Sequence, residues 1–406
     1  MQNKHVNQSS LLLMFLSVVI ASCSSGSSNN TSSTPNQVPI SIGSGLNGDG
    51  INTMYISLTM CSNSSGTNCQ TVDNIILDTG SFGVKINKSA LPESFVLSLP
   101  RVTTNAGNEV YACNTFGSGY VFADEHYAAL NLAGTMTNDV VVQIIENSPS
   151  AEIPDSCIAK GPFDDFSNFG ANGIIGINPA LTLSNSSVLL YKKDINGIYK
   201  ALTSSEESGL PVLNQNPLPS LVTNNNGFVV SIPPVTQNTN TNVTGTLILG
   251  INTEANNHIT NQTNLIVASE SDLSVVCNSA CFYSKISNPE STIPAVFDSG
   301  TNGWVFMSNT LPQCDYGYCP TSPTVWTSSV YSYNFAANES YPISATISAD
   351  EVVNGQSISF AVMPGWGYYN YNNQTLYGSP FFFGKNIYVV FPTQQNVNPI
   401  WGFESI

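Results

Sequence analysis

Short apolar runs that end in small or turn-forming residues set the pattern of this chain. Ile75-Ile76-Leu77 and Ala295-Val296-Phe297 are unbroken apolar triplets, which read as buried strands. The stretch INTMYISLTM, Ile51 to Met60, alternates enough to form a strand. In TFGSGYVF, Thr115 to Phe122, apolar and aromatic residues flank Gly117-Ser118-Gly119, the pattern of a hairpin with a flexible tip. Long amphipathic helical patterns are absent, while Tyr, Phe, Val, Ile, Thr, Asn and Gly abound. The chain therefore reads as mainly β with many turns. Its 406 residues exceed one ordinary core and suit two lobes. The Pro- and Asn-rich stretch from Pro211 to Asn226 marks the boundary between them.

The residues directly after the two apolar triplets carry the chemistry. The first triplet feeds Asp78-Thr79-Gly80-Ser81, the second Asp298-Ser299-Gly300-Thr301, and an apolar run resumes after each. Small residues at a strand end make a tight loop, because Gly permits a backbone path that a Cβ would block. An Asp on such a loop is held rigidly and stays reachable. If the two loops meet, both carboxylates cannot ionise together, so one keeps a proton and the pair can act as base and acid on a shared water. The hydroxyls of Thr79, Ser81, Ser299 and Thr301 are the expected donors that hold the carboxylates.

These paired motifs resemble those of the pepsin-like aspartic proteases, in which each of two similar β-lobes supplies one Asp-Thr/Ser-Gly loop. The resemblance implies a bilobal β fold with a central cleft, catalysis by Asp78 and Asp298, no cofactor and no metal. It also extends beyond the loops. NGIIGINPA, Asn172 to Ala180, and TLYGSPFFFGKNIYVVF, with Leu376-Tyr377-Gly378, resemble the two hydrophobic-hydrophobic-Gly segments that cross behind the catalytic loops. GTLILGIN, Gly245 to Asn252, is similar to the opening strand of the second lobe, and Ile387 to Phe391 with Trp401-Gly402-Phe403 close the chain as in pepsin. The hairpin stands where the family carries its flap, which implies that Phe116, Gly117, Ser118, Gly119 and Tyr120 border the substrate. Phe116 occupies the place of the family's flap Tyr, and a Tyr follows at Tyr120 instead. The aromatic stretch Gly365 to Asn373 reads either as cleft lining or as an exposed Tyr/Asn loop.

The N-terminus reads as an export signal over residues 1–22: Lys4 and His5, then an apolar stretch from Leu11 to Ile20. Ile20-Ala21-Ser22-Cys23 resembles the lipobox of bacterial lipoproteins, which makes Cys23 a lipid anchor; the alternative is an ordinary secretory signal cut nearby. Ser24 resembles the pattern sent to the outer membrane, so the expected location is the cell envelope. Residues 23–37 read as a flexible tether, followed by lobes at 38–225 and 226–406. The chain also resembles a family of exported bacterial proteins that share the double motif. Eight cysteines remain, and their spacing favours Cys61–Cys69, Cys277–Cys281 and Cys314–Cys319, leaving Cys113–Cys157 as the longer bridge. Zinc fits poorly, since no His stands near them.

Charged residues are only 9% of the chain, 26 acidic against 10 basic, for a net charge of −16. Phosphate binding needs clustered Lys and Arg, so nucleic acid is not an expected partner. His126 and His258 lie in no Ser or Cys motif, and there is no His-Glu-x-x-His and no phosphate-binding Gly loop. The expectation is a monomeric, lipid-anchored aspartic endopeptidase that takes peptide or protein substrates and touches the membrane only through its lipid. The alternative is a protein of the same fold that binds a peptide or partner in the cleft without cutting it.

Overall fold

The computed structural model describes residues 36–48, 50–146, 152–268, 282–287, 290–314, 317–332, 340–348, 360–369 and 374–406. The expected export signal, the expected lipid anchor Cys23 and the expected Cys277–Cys281 pair lie outside these residues. The fold is mainly β and bilobal. Among the described residues the α-helices are single turns, such as Glu93–Val96 and Ser379–Phe382. No helix among them is long and apolar enough to cross a membrane.

In chain order, the strands that build the cleft in the first half are β1 (Gln37–Gly43), β2 (Thr53–Cys61), β3 (Cys69–Asp78), β4 (Phe82–Asn87), β5 (Tyr111–Phe116), β6 (Gly119–Leu132), β7 (Val140–Ile145) and β8 (Gly173–Ile177). The second half adds β9 (Gly227–Ile232), β10 (Val243–Leu249), β11 (Phe282–Ser287), β12 (Glu290–Phe297), β13 (Trp304–Phe306), β14 (Thr324–Tyr331), β15 (Ser340–Ile347), β16 (Gly367–Tyr369), β17 (Thr375–Tyr377), β18 (Lys385–Val390) and β19 (Ile400–Ser405). Strands β4, β7 and β8 are buried at every position, including the polar Lys85, Asn87 and Gln143 that interrupt the apolar runs of β4 and β7. Strand β15 alternates between exposed and buried residues, so one of its faces meets water.

One four-strand arrangement occurs twice. In the first half, β3 runs parallel to β8, β8 pairs antiparallel with β4, and β4 runs parallel to β7. In the second half, β12 runs parallel to β17, β17 pairs antiparallel with β13, and β13 runs parallel to β16. The registers agree in detail: Asp78 lies opposite Gly176, and Phe297, just before Asp298, lies opposite Tyr377, just before Gly378. Each crossing strand thus passes directly behind a loop that carries an Asp.

A long sheet joins the halves. It runs through β5, β6, β7, β4, β8, β3, β2 and β1, continues into β10 and β9, and passes through β18 and β19 to an edge strand at Asn264–Val267. Strand β1 pairs with β2 on one edge and with β10 on the other, so the sheet is continuous past the Pro/Asn-rich stretch. A second sheet holds β15, β14, β11, β12, β17, β13 and β16. The main core takes apolar side chains from both halves, including Ile75, Leu77, Phe297, Phe381 and Trp401. Around Phe297 the packing is aromatic, with Phe381, Phe403 and Trp401 rings 4.6, 5.0 and 5.1 Å away. Large rigid rings behind the second Asp loop fix its position from below.

The described residues begin inside the expected tether. Asn36 is buried and donates from Nδ2 to Leu249 O, and Gln37 already belongs to β1. The side-chain amide finds its partners, Leu249 O and Asn256 Oδ1, only across 213 and 220 residues, which local composition cannot announce. Among the described residues the disulfides are Cys61–Cys69, Cys113–Cys157 and Cys314–Cys319. The second bridges 44 residues and ties β5 to the helix Asp155–Ile158.

Candidate active site

Each Asp loop sits where a buried strand ends and the chain must turn back over the crossing strand. Gly176 in β8 lies so close to the first loop that a Cβ there would meet Phe82 N at 2.4 Å and Ser81 C at 2.5 Å. Gly378 has the same role behind the second, where a Cβ would meet Gly303 O at 2.2 Å and Thr301 O at 2.4 Å. Only glycine leaves room for the two backbones to cross. Hydrogen bonds then fasten the loops from behind: Asn178 N to Ser81 O at 3.0 Å, and Ser379 N to Thr301 O at 2.7 Å.

The two loops meet face to face. Thr79 Oγ1 donates to Phe297 O at 2.7 Å, and Ser299 Oγ donates to Leu77 O at 2.7 Å. In return, Thr79 N donates to Ser299 Oγ and Ser299 N to Thr79 Oγ1, both at 3.0 Å. A Cβ on Gly80 would lie 2.6 Å from Asp298 Cγ, and one on Gly300 would lie 2.5 Å from Asp78 Cγ. Each loop's glycine therefore makes room for the other loop's carboxyl, and the Asp78 and Asp298 carboxyls come within hydrogen-bonding reach of one another.

The hydroxyls divide their work differently from the sequence-based expectation. Thr79 and Ser299 hold the opposite backbone rather than the carboxylates, because the residue after each Asp turns away from the cleft toward the other loop. Thr301 does hold its Asp, donating from Oγ1 to Asp298 Oδ2 at 2.8 Å. Ser81 Oγ is buried with no partner. Backbone donors complete the cradle: Gly80 N to Asp78 Oδ1 at 2.7 Å, and Gly300 N to Asp298 Oδ1 at 2.9 Å.

Asp78 is buried and Asp298 is partly exposed at the cleft floor. Desolvation by the surrounding protein, then the Asp78 charge and the hydrogen bond with its carboxyl, hold Asp298 well above the usual carboxylate range. These outweigh the donors Thr301 and Gly300, which pull it down. The pair thus retains one proton where isolated carboxyls would have lost theirs.

Two pockets flank the dyad, one of about 330 Å³ and one of about 230 Å³, and both carboxylates line each. The hairpin of β5 and β6 overhangs them, with Phe116 and Gly117 in the wall of both and Ser118 in the wall of the smaller. Gly119 and Tyr120 do not reach either pocket. Tyr120 pairs with Thr115, one residue out of phase with Phe116, so strand alternation turns it to the far side, where its ring meets Phe163 at 5.7 Å. The described part of the aromatic stretch, residues 365–369, lines neither pocket. Trp366 is buried against Tyr368, and Tyr368 reaches the cleft only through its bond to Asn302, a residue of the smaller pocket.

A buried polar cluster next to the dyad was missed in the sequence. Lys85, on the otherwise apolar β4, donates from Nζ to Phe82 O at 2.8 Å and Asn214 Oδ1 at 3.0 Å, and lies 5.6 Å from the centre of the Phe116 ring. Behind it, Asn114 donates to Gln143 Oε1 at 2.9 Å, and Gln143 donates to Glu125 Oε1 at 2.6 Å. Burial pushes Lys85 down to about 8, although the charges of Glu125 and Asp78 draw it upward. Burial likewise holds Glu125 well above the usual carboxylate range, more strongly than Lys85 lowers it. A lysine in the midst of an apolar run right after an Asp loop was the available signal. Among the described residues no cluster of three or more His, Cys, Asp or Glu side chains is placed to hold a metal ion.

The model of the family described as "Protein of unknown function (DUF3443)" matches residues 32–401. The chain belongs to the DUF3443 family. No curated protein matches it. Among solved structures, this DUF3443 member is similar to the one titled "Crystal structure of aspartic proteinase from Irpex lacteus", at 13% identity and a TM-score of 0.48, over 91% of this chain and 96% of that one.

Proposed function

We propose that this protein is an aspartic endopeptidase in which Asp78 and Asp298 share one proton and one water. The observation that carries this reading is the closed face-to-face contact of the two Asp loops, cross-bonded through Thr79 and Ser299. A peptide lying across the floor presents its scissile carbonyl to the dyad. The ionised Asp takes a proton from the water as its oxygen bonds to the carbonyl carbon. The protonated Asp gives its proton to the carbonyl oxygen, and a neutral tetrahedral gem-diol forms. Its collapse breaks the C–N bond: the proton held by the first Asp goes to the departing nitrogen, and one hydroxyl of the diol returns its proton to the second Asp as the carbonyl re-forms. The raised Asp298 makes it the better candidate for the proton-bearing partner, while the proton belongs to the pair.

In this reading the cleft lies between lobes at 38–225 and 226–406. The protein works outside the cytoplasm, anchored by a lipid on Cys23 and oxidised at its other cysteines. The test of the activity is digestion of an unfolded protein by the mature enzyme at about pH 3 to 6, with and without an active-site peptide inhibitor of aspartic proteases. Inhibitor-sensitive cleavage supports the reading. For the anchor, Cys23→Ala should move the protein from the membrane fraction to the soluble one, and a variant that stays membrane-bound rules the anchor out.

One observation favours a second reading, a peptide-binding protein without turnover. Phe116 stands over the cleft where a hydroxyl-bearing residue would add a hydrogen bond, and it leaves that place apolar. A mature wild type that binds peptides from a diverse library and cuts none at acid pH establishes this reading instead.

A further inference from the structure

The larger pocket beside the dyad presents hydrogen-bond donors that the protein itself leaves without acceptors. Lys85 Nζ carries three N–H bonds and gives two of them to Phe82 O and Asn214 Oδ1. The bond to Asn214 Oδ1 leaves Asn214 Nδ2 as that side chain's free end, and Nδ2 is buried with no partner. Ser81 Oγ is in the same condition. Lys85, Asn214 and Ser81 all line this one pocket, and Lys85 and Asn214 are each about 1% exposed. Among the described residues no carboxylate comes within ion-pair distance of Lys85. Glu125, its main electrostatic neighbour, does not line the pocket.

A buried ammonium and two unpaired donors are costly arrangements unless an acceptor arrives. The pocket on the other side of the dyad is unlike this one, walled by Ile76, Phe166, Phe169 and Ile174. We propose that the Lys85–Asn214–Ser81 pocket is a specificity site for a carboxylate side chain, so that the preferred peptides carry Glu or Asp on one side of the scissile bond. The carboxylate accepts from Lys85 and Asn214, and the apolar pocket receives the residue on the opposite side. This inference rests on the peptidase reading for its substrate class, while the pocket's chemistry is independent of turnover.

The test uses matched peptides with Glu, Gln or Leu at each position flanking one bond. Their binding to Asp298→Asn protein is measured by calorimetry, and their cleavage by wild type is measured as kcat/KM, at about pH 5, where most free Glu is ionised. At one flanking position Glu should be favoured over Leu by about tenfold or more, the size of a hydrogen bond to a charged group. Lys85→Met should bring that ratio close to one. If Lys85→Met does not fold, Asn214→Ala must lower the same ratio. Glu preference in binding with no cleavage keeps this inference and removes the peptidase reading. Cleavage with no Glu preference at any position, or a preference that survives Lys85→Met, overturns the inference and leaves the peptidase reading in place. Absence of both binding and cleavage overturns it as well.

Discussion

Thr79 and Ser299 each donate a side-chain hydrogen bond to the backbone of the other's strand, and each accepts one from the other's amide. Four bonds among residues separated by 218 to 222 positions close a ring under the two carboxylates. All four are buried, so the ring fixes the distance between the Asp loops more firmly than the surrounding apolar contacts could, since directional bonds specify position and dispersion does not.

Thr79→Val keeps the shape of the side chain and removes its donor and acceptor. Ser299 N and Phe297 O then lose their partner in a buried place. The expected loss is about 1–3 kcal/mol of stability by denaturant titration, with Ser299→Ala comparable. Because both hydroxyls brace the same pair of loops, the double variant should cost less than the two single losses added together. Strict additivity would mean that the ring does not act as a unit.

Gly176→Ala and Gly378→Ala test whether the two halves use the same device. In both, the new methyl meets backbone rather than a movable side chain. Each should destabilise by about 1–3 kcal/mol or more, as overpacking does, and displace the Asp loop in front of it. A variant of wild-type stability with an undisturbed dyad would show that the crossing strand has slack that the structure does not display.

The pH dependence follows from Asp298. Its folded-state pKa lies above the ordinary 3.8, so the folded protein holds this proton more tightly than the unfolded chain. The group's contribution is therefore most favourable below the ordinary value and is lost as pH rises through the raised one. Stability of the wild type should fall across that window, and that of Asp298→Asn, which has no proton to lose there, should fall less. Activity should decline over the same rise, because a dyad that has lost its proton has no acid. Denaturation curves and a kcat/KM profile measured in parallel check both; equal pH slopes for the two proteins would contradict the assignment.

Some of this site was legible because its signals are local. An apolar triplet running into Asp, a small hydroxyl residue and Gly announces a buried strand and a tight loop within about seven residues, and it does so twice. The glycines of Ile174-Ile175-Gly176 and Leu376-Tyr377-Gly378 were visible for the same reason. The hidden part depends on distance. Lys85, Glu125 and Asn214 come from β4, β6 and the segment before residue 218, and only the folded chain brings them together. The orientation of Tyr120 depends on the register across a two-residue hairpin tip, and a shift of one position would have turned it inward. The placement of β1 between β2 and β10 likewise joins residues some 200 apart, and no local pattern encodes it.

The central claim is that Asp78 and Asp298 together perform acid-base chemistry on a peptide bond. The most direct measurement is the rate at which mature wild type, Asp78→Asn and Asp298→Asn cleave one unfolded protein at acid pH, with the fold of each checked by its unfolding transition. The amide keeps the shape of the carboxyl and removes its proton transfer. Each variant should stay folded and lose about a thousandfold or more in rate. A folded variant of either Asp that still cleaves at a rate near wild type would contradict the account.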